Sequence, residues 1–358
     1  MDINGNIFND IISYDNNINI QSYNKIYNVQ FVNSNLNDII NKYYILNDFI
    51  IIDKNVYNLN NNCFENIDKK YYYIFDALEQ NKTMDYVLII CDILNDLKFT
   101  KNNKILVIGG GITQDVCGFV CAIYKRGLQW IFIPTTLLSM TDSAIGGKVC
   151  INRNSKNILS LFMAPNNVII SDKFLLTLTQ YDIISGLGES LKLSLIYGKD
   201  SFFKFKENYI NKNYIDIIKL SIEIKKIIIE YDELEKNERK VLNYGHTFGH
   251  ALECTTEYFI PHGIAVLFGM YIINLLFYDD KFIEINKYIL NMIPDKFKNI
   301  HLSFDKFVNH LLNDKKNIGN KICFILLDDI GKTLFIYKNI EEINIKLKQI
   351  FEKLFKCI

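Results

Sequence analysis

Proline is scarce in this chain, four residues in 358, and no Ser/Pro-rich tract interrupts it. A flexible tether is therefore excluded, and the expectation is two directly joined domains with a cleft between them where chemistry would sit. Net charge is missing as well, because 40 Lys and Arg balance 40 Asp and Glu. No global field draws in nucleic acid, an anionic membrane or a polyacidic partner, so an anion must be recognised locally. The eight cysteines, at 63, 91, 117, 121, 150, 254, 323 and 357, include no CxxC pair. Several lie in apolar runs where a thiol acts as a small hydrophobe, which points to a reducing, intracellular setting. No run approaches the about 20 apolar residues that cross a bilayer, and MDINGNIFNDIISYDNN has no basic leader. A cytoplasmic protein without internal repeats is expected.

What is present suggests two halves. From about 25 to 175, β-rich runs alternate with helical ones: YNVQFV, DFIIID, MDYVLIICDIL, KILVIGGG, QDVCGFVCAIY, WIFIPTT and NVIIS. Such alternation predicts a parallel sheet with helices on its faces. After about 175 long segments of helical period take over, such as IDIIKLSIEIKKIIIEYDELEKNE, with one late β-like stretch at KICFILLDDIGKTLFIY.

Four stretches carry candidate chemistry. In KILVIGGGITQD a strand runs into Gly109, Gly110 and Gly111 and then a helix whose first turn holds Asp115. Glycines there let the backbone approach a diphosphate, and the helix N-terminus offers free N–H groups; a bare GGG also makes an ordinary tight turn. Thr135 and Thr136 end the next strand, where simple β-propensity explains them equally well. TDSAIGGKVCINRNSKN gathers Asp142, Lys148, Lys156 and Asn157 among small residues, a composition that suits a phosphorylated ligand or a solvated basic loop. GLGESLK sets Glu189 and Lys192 on one helical face after a glycine-marked start, as a surface ion pair would be.

The densest signal is LNYGHTFGHALE followed by PHG. His246 and His250 stand one helical turn apart, and His262 follows, so three of five histidines fall within 17 residues. With a carboxylate they make a catalytic, zinc-type set that leaves one coordination position open. The preceding charged segment, read as continuous helix, supplies Lys225, Arg239 and Asn243, and arginine is otherwise scarce.

In this order GGGITQD, YKRG, IPTTLLSMTDSAIGGK, KN, SGLGESLK, ERKVLNYGHTFGHALE, PHG and NDKKN resemble the 3-dehydroquinate synthase family of NAD- and zinc-dependent sugar-phosphate cyclases, from roughly residue 27 to 335. The resemblance implies an α/β fold, with a Rossmann-like NAD-binding domain over 1–174 and a mainly α-helical metal- and substrate-binding domain over 175–358. It implies a divalent metal, zinc or cobalt, held by Glu189, His246 and His262, with His250 a proton-transfer group near the substrate phosphate. NAD would lie along Asp53, Glu79, Lys82, Gly109 to Gly111, Asp115, Thr135, Thr136, Lys156 and Thr177. Asp142, Lys148, Asn157, Lys192, Lys225, Glu235, Arg239, Asn243 and one of Lys315 or Lys316 would surround the substrate. Arg126 would reach the active site of the neighbouring subunit in a homodimer.

The implied reaction oxidises a substrate hydroxyl with hydride transfer to NAD, eliminates phosphate, returns the hydride and closes a carbocycle by an aldol step. Lys225, Arg239 and Asn243 favour a 3-deoxy-heptulosonate phosphate, because a buried cationic site built for a carboxylate rejects ligands lacking one. The alternatives are a cyclase for sedoheptulose 7-phosphate or glucose 6-phosphate, and a metal-dependent polyol or glycerol-phosphate dehydrogenase. Departures from the family pattern mark a divergent branch: ALEQNK at 77–82, Gln114 in place of glycine, Ile264 after PHG, and TLT at 177–179.

Overall fold

The computed structural model describes residues 1–8, 12–312 and 321–357. Two compact units divide the chain: a sheet unit of Ser13–Leu178 with Lys225–Leu234, and a helical unit of Met1–Ile12, Thr179–Ile224 and Glu235–Ile358. The break near 178 lies close to the one expected at 174, but two stretches change sides. The start of the chain goes with the helical unit, where β1 (Asp2–Ile3) pairs antiparallel with β2 (Asn6–Ile7) and parallel with residues 332–333.

In the sheet unit, β3 (Asn17–Gln21), β4 (Ile26–Phe31), β5 (Phe49–Asp53), β6 (Tyr72–Phe75), β7 (Lys104–Gly109), β8 (Gln129–Pro134) and, after a separate hairpin of β9 (Lys148–Ile151) and β10 (Leu159–Phe162), β11 (Asn167–Ile170) form the strands. Seven of them make one sheet in the order β3-β4-β11-β8-β7-β5-β6, parallel except for β3. Helices α1 (Leu36–Tyr43), α2 (Lys54–Leu59), α3 (Met84–Asp96) and α4 (Gly111–Ile123) lie between strands in sequence. The central runs are apolar on both faces, with Phe49–Ile52 and Ile105–Ile108 wholly buried, as a covered parallel sheet requires. Since β6 lies on one side of β5 and β7 on the other, the winding reverses between β5 and β7. Such a switch opens a crevice at the carboxyl ends of the two strands. Strands β3 and β6 escape the sequence pattern because one alternates isoleucine with abundant asparagine and the other is a four-residue edge.

In the helical unit come α5 (Gln180–Tyr197), α6 (Lys199–Ile210), the first part of α7 (Tyr214–Tyr231), whose residues from 225 on belong to the sheet unit, α8 (His246–Thr255), α9 (His262–Phe277), α10 (Ile283–Met292), β12 (His301–Leu302), α11 (Phe304–Leu312), the hairpin of β13 (Lys321–Asp329) and β14 (Lys332–Asn339), and α12 (Asn344–Leu354). Helix α9 is buried almost all round, from Gly263 to Met270 and beyond, and packs on both α5 and α8. A Cβ at Gly263 would stand 1.7 Å from the Ser185 carbonyl oxygen, so α5 and α9 meet backbone to backbone. The Gly263 N–H donates to Ser185 Oγ at 2.9 Å across that contact.

Two expectations about helices are corrected. Helix α5 begins in a capping box of Thr179 and Asp182, so the glycines of GLGESLK lie at its middle. Helix α7 ends at Tyr231 instead of running on to the histidines, and residues 238–243 form a separate 3₁₀ turn. Its C-terminal end turns to the β3–β4 hairpin, where Ser22 Oγ donates to the Glu233 carboxylate at 2.7 and 3.0 Å and the Gln21 N–H donates to Glu230 at 2.8 Å. These bonds assign residues 225–234 to the sheet unit. Among the described residues no helix is long and apolar enough to cross a membrane.

Candidate active site

Three elements of the helical unit converge on one carboxylate. Glu189, at the middle of α5, is wholly buried. His246 opens α8 and His250 follows one turn later, while His262 opens α9 after the N-cap Pro261. The Nε2 atoms of His246 and His262 lie 3.5 and 3.3 Å from the same oxygen, Glu189 Oε1. That oxygen is buried and has no hydrogen-bond partner among the described residues, which is costly unless a cation completes it. The second oxygen, Oε2, takes the ammonium of Lys192, itself 1% exposed. The ion pair expected at the surface is therefore buried, and it leaves only Oε1 facing the histidines.

The other faces of the two imidazoles are held. His262 Nδ1 lies 3.0 Å from Glu253 Oε2, and His246 Nδ1 lies 3.3 Å from the Tyr244 carbonyl oxygen. Nδ1–H donation to these oxygens leaves each Nε2 facing Glu189 Oε1, and loss of the Nε2 proton to an incoming metal yields the tautomer that ligation needs. Burial works to lower the pKa of His262, but Glu253 and then Glu189 outweigh it and push it up to about 10. His250 completes the group, its ring centre 5.2 Å from that of His246 and 5.7 Å from that of His262. The ligating atoms of the three histidines lie within 4.8 Å of one another. Two imidazoles and one orphaned carboxylate oxygen fit a divalent ion of the zinc type. Also in this unit, Arg239 is buried on the 238–243 turn, and Asn243 Nδ2 donates to Glu235 Oε1 at 2.9 Å.

The sheet unit gathers most of the remaining candidates. Asp53 ends β5, and the register of Ile52 with Ile108 sets it level with Gly109 at the switch point. One Asp53 oxygen accepts from the N–H groups of Asn55 and Val56 at 2.7 and 3.4 Å, and burial raises its pKa. Gly110 caps α4, and a Cβ there would stand 3.1 Å from Thr136 Cγ2. This cradle, closed by Thr135 and Thr136 at the end of β8, fits a dinucleotide diphosphate against a helix N-terminus.

Asp115 falls in the second turn of α4, not the first, and pairs with Lys82 at 2.5 Å. Burial lifts the Asp115 carboxyl; it also works against the Lys82 ammonium, which Asp115 nonetheless holds above its ordinary value. Lys82 Nζ also donates to Asn157 Oδ1 at 2.6 Å, and Asn152 Nδ2 donates to Glu79 Oε1 at 2.8 Å. Lys225 and Asp142 pair at 2.8 Å. Lys148 is exposed at the start of β9, Lys156 is half-buried, and Thr177 is exposed with its hydroxyl donating to the Phe174 carbonyl at 3.1 Å. Arg126 is exposed, in a left-handed turn after α4 with φ 66°. Lys315 and Lys316 lie outside the described residues.

Two contributors escaped the reading of the sequence. Gln114, read as a departure from the family's pattern, donates through Nε2 to the Ser143 carbonyl at 2.7 Å and accepts from Ser143 Oγ at 2.7 Å. It pins the turn at 139–143 that carries Asp142. Glu253, seven residues after His246, shares its helix face; that spacing was the available signal.

Comparison with known proteins places these features in a family. The family model described as 3-dehydroquinate synthase N-terminal matches residues 72–185, and the one described as 3-dehydroquinate synthase C-terminal matches residues 186–317. The chain is 38% identical over 328 residues to the 3-dehydroquinate synthase of Pelagibacter ubique, covering 84% of this chain and 88% of that protein. It is 35% identical over 319 residues to the 3-dehydroquinate synthase of a Thermoanaerobacter species, covering 82% and 88%. The fold is that of 2-deoxy-scyllo-inosose synthase, solved with carbaglucose-6-phosphate, NAD+ and Co2+, at TM-score 0.78 and 22% identity over 93% of this chain and 99% of that one.

Proposed function

The chain belongs to the 3-dehydroquinate synthase family, and from that premise we propose that it converts 3-deoxy-D-arabino-heptulosonate 7-phosphate to 3-dehydroquinate and phosphate, with NAD and zinc or cobalt as cofactors. The observation that carries this reading is the orphaned, buried Glu189 Oε1 on which the Nε2 atoms of His246 and His262 converge. When bound, the metal supplies polarisation of a substrate hydroxyl and NAD supplies a reversible hydride acceptor.

The chain's own residues do the rest. Glu189, His246 and His262 hold the ion, and Lys192 occupies the second oxygen of Glu189. His250 moves a proton at its imidazole, beside the ligands yet with a different task. Lys225, Arg239 and Asn243 bind the substrate carboxylate, with Glu235 orienting Asn243 and Asp142 orienting Lys225. Lys148, Asn157 and one of Lys315 or Lys316 bind the remaining oxygens of the sugar phosphate. Asp53 takes a ribose hydroxyl of NAD, Gly109 to Gly111 take its diphosphate, and Glu79, Lys82, Asp115, Thr135, Thr136, Lys156 and Thr177 enclose it. The protein acts as a homodimer in which Arg126, raised on three successive positive-φ residues, 125–127, serves the neighbouring subunit's substrate phosphate.

The substrate assignment is tested by phosphate release from the heptulosonate phosphate and from sedoheptulose 7-phosphate under identical conditions. Release from the first alone is expected, with Arg239→Met reducing it. Release from the carboxylate-free sugar alone would replace the substrate assigned here.

A further inference from the structure

We infer that Glu253 is a positioning residue for the metal centre, fixing the tautomer and the aim of His262. The inference rests on the metal site of the proposed function and goes beyond its three ligands. Glu253 is 3% exposed, so its carboxylate lies in a medium where an uncompensated charge is costly and a charge-assisted hydrogen bond is strong. It stands on α8 one turn beyond His250 and two turns beyond His246, on the same face. Its Oε2 meets His262 Nδ1 at 3.0 Å, while the opposite nitrogen of that ring, Nε2, lies 3.3 Å from Glu189 Oε1.

These two distances define the role. A carboxylate accepts and cannot donate, so it selects the His262 tautomer with hydrogen on Nδ1 and leaves the Nε2 lone pair for a metal. His246 receives the same service from the Tyr244 carbonyl, a backbone group that no substitution removes. His262 opens α9 as His246 opens α8, but the partner of its Nδ1 is a side chain, the Glu253 carboxylate, which a substitution can remove. Glu253 also brings a second negative charge to a centre where the ammonium of Lys192 offsets that of Glu189.

The test uses the full chain stripped of metal, with zinc affinity measured by competition against a chromophoric chelator and the cobalt-loaded visible spectrum recorded beside it. Glu253→Ala is expected to weaken zinc binding about 10- to 100-fold and to alter the cobalt spectrum. Glu253→Gln, whose amide oxygen still accepts from Nδ1–H, falls between that variant and the parent. Zinc affinity of Glu253→Ala within twofold of the parent, with an unchanged cobalt spectrum, overturns the inference. If Glu253→Ala does not fold, Glu253→Gln decides alone, and parental zinc affinity in it overturns the inference. A parent chain that binds no zinc would remove the metal reading itself, and this inference with it.

Discussion

Replacing Lys192 by methionine isolates the electrostatic logic of the centre. Lys192 and Glu189 are 1% and 0% exposed, and the ammonium occupies Glu189 Oε2 while Oε1 has no hydrogen-bond partner among the described residues. Methionine keeps the volume and apolar stem but leaves a buried carboxylate without its cation. Removing one member of a buried pair costs about 3–5 kcal/mol. At roughly 2–4 °C per kcal/mol for units of this size, the metal-free variant should melt on the order of 10 °C below the metal-free parent. Zinc returns a cation to the same carboxylate, so it should raise the melting temperature of Lys192→Met more than that of the parent. Calorimetry of both proteins in a chelator and then in excess zinc reads the four values. Metal-free melting within about 2 °C of the parent, or an equal zinc-induced rise in both, would refute the argument.

Three further outcomes are expected. His246→Ala loses bound metal, whereas His250→Ala retains it and loses turnover; equal metal loss in the two by elemental analysis would sink the division of roles. The pKa of His262, pushed up to about 10 from 6.5, means its contribution to stability without metal is complete below about pH 6.5 and is lost as pH climbs through 10. Within that window zinc must displace a proton, so calorimetric titrations at about pH 7.5 should show a heat that varies with the ionisation heat of the buffer; a buffer-independent heat contradicts it. Gly110→Val places side-chain atoms against Thr136 and should weaken NADH binding, read by its fluorescence, at least about tenfold while leaving zinc affinity unchanged; equal NADH affinity would place the dinucleotide elsewhere.

The sequence exposed the central strands because a covered parallel sheet demands unbroken apolar runs, and KILVIG and FIIID are such runs. It exposed the histidines because spacing along a helix is a local property. It concealed what depends on distant partners. Nothing local marks Glu230 and Glu233 as anchors for a hairpin turn some 210 positions earlier, and α7 was therefore read too long. The same holds for Glu189 and Lys192, whose i,i+3 spacing is that of an ordinary surface pair until α9 is laid across them at Gly263. Asp115 shows the limit of motif reading at finer scale, since one residue of error in the start of α4 carried it across the boundary between the first and second turns.

The account stands most directly on the ratio of phosphate released to NAD supplied. The zinc-loaded protein would be given excess 3-deoxy-D-arabino-heptulosonate 7-phosphate and substoichiometric NAD, while NADH absorbance is followed. Phosphate far in excess of the NAD present, with no accumulation of NADH, is the predicted result. NADH rising in step with substrate consumed, without phosphate, would contradict the account and make the chain a dehydrogenase.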